Sequence, residues 1–175
     1  GCGFEYTVFT EITGEPDDRR IKAGVEVYNA NNCDFIMAMG GGSPLDSMKA
    51  IAVWVANGTN VCDFYGKLID AKLPKMVAIP TTAGTGSEAT QFTVITDTRS
   101  GVNMLLKGQA LMPDLAVVDT SLGVSSPKSI TAYTGLDALT HAVESYTSRR
   151  AQPLTDSLSL AAVKRIFKYL VRAYN

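Results

Sequence analysis

Apolar and polar positions along this chain follow two regimes. Up to about residue 120, short apolar runs alternate with stretches whose apolar residues recur at helical spacing; beyond Lys128 only the helical period persists. Residues 5–12 read as a strand, and 17–31 as a helix carried by Ile21, Gly24, Val25 and Tyr28. The short apolar run 33–39 has the profile of a buried parallel strand, followed by a helix over 44–56 that closes at Asn57 and Gly58. Residues 59–74 form an irregular connection, and 75–79 a further strand ending at Pro80. Two strands, 92–96 and 104–106, flank Asp97-Thr98-Arg99-Ser100-Gly101 as a hairpin, and 115–118 is a last strand. The β-α-β-α order predicts an α/β fold on a parallel, Rossmann-like sheet with right-handed crossovers. The change of period places a domain boundary near residue 121, dividing 1–120 from 121–175.

The junction Gly40-Gly41-Gly42-Ser43 between strand and helix carries the first candidate chemistry. Ser43 can serve as N-cap, Pro44 suits the first helical position, and Asp46 can complete a capping pair. Glycines let the backbone approach a bulky anion, while the N–H groups and dipole of the new helix attract negative charge. That pattern describes a phosphate site; a tight turn without a ligand is the competing reading. The fingerprint G-x-G-x-x-G is not met, because Leu45 occupies the third glycine's place. A second polar loop, 81–88, follows a strand with three threonines, a serine and two glycines. Ligands collect at the carboxyl ends of strands in open α/β sheets, although a plain surface loop has the same composition. Third, Asp137 and His141 stand four residues apart, on one face of a helix. Both are ligands of divalent metals, yet a helix-surface hydrogen bond is the commoner use of such a pair. Two donors also leave a catalytic metal short of ligands.

Composition narrows the alternatives. A content of 46% apolar and 19% charged residues suits a soluble globular protein, and the net charge of −1 gives no case for nucleic acid or an anionic membrane. No apolar run reaches the length of a membrane span, and no signal peptide begins the chain. Cys2, Cys33 and Cys62 are odd in number and scattered, which fits reduced thiols and a cytoplasmic location. A serine hydrolase lacks its G-x-S-x-G elbow here, and a Walker-type phosphate loop is absent. Both ends read as cut, and no catalytic residue can be assigned. A nucleotide-binding fragment without catalysis is therefore an alternative.

The motifs Gly40 to Asp46, Ile79 to Glu88 and Gly135 to Glu144, in this order and spacing, resemble the iron-containing (group III) alcohol dehydrogenase family. The resemblance implies a dehydroquinate synthase-like fold in which a nicotinamide-binding domain precedes an all-helical domain, with the active site in the cleft. It implies NAD as cofactor, with NADP the alternative, and Fe²⁺ as metal, with Zn²⁺ the alternative. Gly41, Gly42 and Ser43 would hold the pyrophosphate, Asp46 would lie near the carboxamide, and Thr81, Thr82 and Thr85 would line the cofactor cleft. Asp137 and His141 would be two metal ligands, the remaining two histidines lying beyond Asn175. The expected substrate is an alcohol or aldehyde, a primary alcohol or diol, handled by a homodimer or higher oligomer. A polyol dehydrogenase or a cyclase shares the fold, but the cyclase pattern has glutamate in place of Asp137. The family's first strand would precede Gly1, and its usual lysine is replaced by Asn103, with Lys107 as a substitute.

Overall fold

In this computed structural model, which describes Gly3 and residues 5–175, the chain forms two units. The first comprises Gly1–Pro80 and Ser87–Val118, the second Thr81–Gly86 and Asp119–Asn175. Cys2 lies outside the described residues.

In the first unit, α1 spans Asp18–Ala30, started by Asp17, whose carboxylate accepts from the Arg19 and Arg20 N–H groups. Then come β1 (Phe35–Gly40), α2 (Gly42–Asn57), β2 (Lys75–Pro80), β3 (Phe92–Asp97), β4 (Val102–Lys107) and β5 (Leu115–Ala116). β1, β2 and β5 lie parallel in that order, with Gly40 opposite Pro80 at the strand ends; β3 and β4 form the antiparallel hairpin. Helix α2 is buried almost all round. Leu45, Met48 and Ala52 pack with Ala38, Met76 and Ala78 of the sheet, while Ala50, Ile51 and Val53 join Ile21, Ile95, Met104 and Leu106. A stretch apolar on every side, as 50–55 is, has this central place as its natural outcome.

Three local expectations are corrected. Residues 5–12 make no ladder. β1 is the sheet edge, and Thr7, Phe9 and Ile12 face it across a cavity of about 400 Å³ rather than at strand spacing. The last strand is only two residues long, although the Val117 N–H continues to the Ala78 carbonyl at 2.8 Å. Helix α2 begins earlier than its sequence suggests: Gly41 is the N-cap and no side chain caps it. The Ser43/Asp46 capping pair does not form, because Asp46 turns to Ser87 and Val94. Its other end is as expected, with Gly58 at φ 68° donating to the Trp54 carbonyl.

The second unit packs α3 (Lys128–Thr147) on α4 (Pro153–Tyr174). Gln152 and Thr155 cap α4 reciprocally, with Pro153 in the first turn. Gly135 of α3 leaves room for Leu170, since a Cβ there would collide with Leu170 Cδ1. Gly84 likewise backs onto Thr134, whose carbonyl oxygen would lie 2.7 Å from an added Cβ. The apolar face of α4 is divided: Leu158 and Phe167 are exposed, but Ile166 and Leu170 are half-buried.

Candidate functional site

The chain leaves β1 into Gly41 and β2 into Thr81 from neighbouring strand ends, since Gly40 and Pro80 are register partners. Gly40 is required by the fold itself. Its φ is +154°, and a Cβ would stand 2.6 Å from the Pro44 ring. Gly41, at φ −77° and ψ −158°, is under no such demand. The first turn of α2 has no side-chain cap, so no capping side chain competes with an anion for its N–H groups and the positive end of the helix dipole.

Asp46 sits one turn further on, and its carboxylate is engaged by the protein. Oδ1 accepts from Ser87 Oγ at 2.5 Å and Oδ2 from the Val94 N–H at 2.8 Å, while the Asp46 carbonyl accepts from Thr93 Oγ1 at 2.9 Å. Burial raises the carboxyl above its usual range, against the opposing pull of Ser87, the Val94 N–H and Lys49. Lys49, which motif reasoning passed over, is fully buried. Its ammonium donates to the Thr90 carbonyl at 2.8 Å, Thr90 Oγ1 at 3.2 Å and the Phe92 carbonyl at 2.8 Å. A sequence signal for it existed: it is the only charged residue between Asp46 and Asn57, in an otherwise apolar stretch of the helix.

Thr81, Thr82 and Thr85 belong to the second unit, where Ser126 Oγ donates to the Thr81 carbonyl at 3.5 Å. Asp137 and His141 lie on α3 with Nε2 and Oδ1 3.8 Å apart, both about half exposed. That separation lets both donors reach one first-row metal ion at bond lengths near ~2 Å, and the carboxylate–imidazole pair fits such an ion. Among the described residues, no third histidine, cysteine or acidic donor joins them.

The trio that does converge is elsewhere: Asp18, Cys62 and Asp97, with ligand atoms within 4.8 Å of one another. These groups already have partners. The Thr98 N–H donates to Asp18, the Arg99 side chain and Ser100 hydroxyl to Asp97, and burial pushes the Cys62 thiol up to about 11. The thiol therefore stays protonated at neutral pH, and the trio braces the hairpin against α1. Asn103, in place of the expected lysine, is held within the hairpin by Thr96 and reaches Glu15.

Residues 1–120 match the family model described as iron-containing alcohol dehydrogenase, and 131–175 the C-terminal model of the same family. The NAD-dependent methanol dehydrogenase of Bacillus methanolicus is 40% identical over 173 residues, covering 98% of this chain and 45% of that protein. A crystal structure of 1,3-propanediol oxidoreductase superposes with a TM-score of 0.93 at 35% identity, over 96% of this chain and 44% of that one. Sulfoacetaldehyde reductase from Bifidobacterium kashiwanohense, solved in complex with NAD+, superposes with a TM-score of 0.91 at 38% identity, over 97% of this chain and 46% of that one. The chain thus spans less than half the length of these relatives.

Proposed function

This chain belongs to the iron-containing alcohol dehydrogenase family, and from that membership we propose that it is part of a metal-dependent oxidoreductase moving hydride between a primary alcohol or diol and NAD(P). The observation that carries the reading is the Asp137 and His141 pair, two metal-type donors 3.8 Å apart on one helix face inside the matched C-terminal region. A bound divalent ion, Fe²⁺ or else Zn²⁺, would supply Lewis-acid polarisation of the alcohol oxygen, and the nicotinamide would take up the hydride. The protein's part is to hold and orient. Residues 1–120 form the dinucleotide-binding region, with Gly41, Gly42 and Ser43 offering N–H groups to the pyrophosphate. Thr81, Thr82 and Thr85 supply hydroxyls to the cofactor, and residues 121–175 begin the helical metal-binding region.

Asp46 is assigned a firmer task than direct recognition. With both oxygens engaged, it anchors the turn that binds the phosphates, and a carboxamide is at most a further partner. We infer a homodimer or higher oligomer in the cytoplasm. No helix among the described residues is long and apolar enough to cross a membrane.

His141→Ala in the full-length protein tests the reading. Metal content by elemental analysis and alcohol-dependent NADH formation are expected to collapse together, while NADH binding by fluorescence titration persists. Full metal content with lost dinucleotide binding would assign His141 to the cofactor or the core instead.

A further inference from the structure

Lys49 is the buried titratable group that the proposed chemistry leaves without a task. It lies on α2, two turns from the phosphate-facing end of the helix, and is completely shielded from solvent. Its three ammonium protons meet three acceptors, the Thr90 carbonyl, Thr90 Oγ1 and the Phe92 carbonyl, all at the entry to β3. An arrangement of this kind is costly, and the three acceptors offset part of the cost. Asp46, one turn earlier, grips the same stretch through Ser87 and Val94. The helix that presents Gly42 and Ser43 is therefore fastened to residues 87–94 at two successive turns.

We propose that Lys49 is a positioning residue for the dinucleotide: by clamping α2 to the entry of β3, it fixes where the first-turn N–H groups of Gly42 and Ser43 stand. Lys49 touches no phosphate. The inference rests on the reading that the α2 N-terminus holds the dinucleotide, and it adds that affinity there depends on a buried cation facing away from the ligand. The charged groups facing the ammonium are Asp46 from its own helix and Glu88 from the turn 87–89. Burial lowers the Lys49 amino group to about 8, so the clamp loses its charge, and one of three donors, within an accessible pH range.

Lys49→Met in the full-length protein provides the test, with NADH affinity read by fluorescence titration from pH 7 to 9.5. Wild type is expected to bind at pH 7 and to weaken severalfold above pH 8. The variant should bind about tenfold or more weakly at pH 7, the scale of lost charge-assisted hydrogen bonds, with a flat pH profile. KM for NAD should rise while kcat changes far less, which a merely reduced folded fraction would not produce. Thr90→Ala removes one acceptor without unburying the lysine and should weaken binding in the same direction by a smaller factor. Unchanged affinity in both variants, or a variant that keeps the wild-type pH profile, overturns the role of Lys49 while leaving the dinucleotide site standing. Absence of NADH binding by wild type at pH 7 overturns both.

Discussion

At the scale of single residues, neighbouring glycines in one motif answer to different masters. Gly40 is held at φ +154° against the Pro44 ring, so any side chain there strains the fold with or without a ligand. Gly41 has a negative φ of −77°, so no left-handed backbone demands a glycine there. Gly40→Ala should therefore lower stability by about 1–3 kcal/mol, seen as a reduced thermal midpoint. Gly41→Val should leave that midpoint nearly unchanged and weaken NADH binding strongly in a fluorescence titration on the full-length protein. Equal loss of stability in both variants would show that Gly41 too serves the turn rather than the phosphate. Asp46 offers the same lesson in reverse. Ser87 and the Val94 N–H, more than 40 residues away in sequence, donate to its carboxylate, a tie that its place in the motif does not announce.

Among the elements, α2 shows how much of the architecture local pattern can disclose. Its central burial follows from the apolar run 50–55, and its end follows from Gly58. Its start does not follow from local rules, because the capping aspartate was recruited by a distant strand. Residues 5–12 failed for a related reason: a strand needs a neighbour at strand spacing, and the alternation of side chains cannot report whether one is there. The hairpin was fully legible, since its turn and both strands are contiguous. Lys49 gives this element a measurable signature. Its folded-state value near 8 lies below the ordinary 10.5, so between those pH values the unfolded chain retains a proton that the folded chain has released. Stability should therefore rise with pH across that window, by up to about 3 kcal/mol. Denaturant unfolding at pH 7.5 and pH 10 should show this gain in wild type relative to Lys49→Met. Parallel pH dependence in the two proteins would mean that the lysine titrates normally.

For the whole molecule, chain order and spatial grouping diverge. Thr81–Gly86 groups with residues beyond Asp119 although it directly follows β2, and nothing in its threonines and glycines announces that. The i, i+4 spacing of Asp137 and His141 already put them on one helix face, and they stand 3.8 Å apart, but with no third donor beside them among the described residues. A catalytic metal ordinarily takes three protein ligands. The 175-residue chain by itself should then bind metal weakly and form no NADH from alcohol at a robust rate. Two apolar surfaces add a second expectation. β1 is a sheet edge with Phe35, Met37 and Met39 exposed, and α4 exposes Leu158, Phe167 and Val171. Unpaired edges and exposed apolar stripes both promote association. Sedimentation of the isolated chain should show oligomers that dissociate when Met37→Lys is combined with Phe167→Glu. A monodisperse monomer of the unsubstituted chain, or alcohol-dependent NADH formation by it, would refute the respective expectation. Activity in particular would mean that the donors at Asp137 and His141 suffice, or that this chain recruits its remaining ligands from another copy of itself.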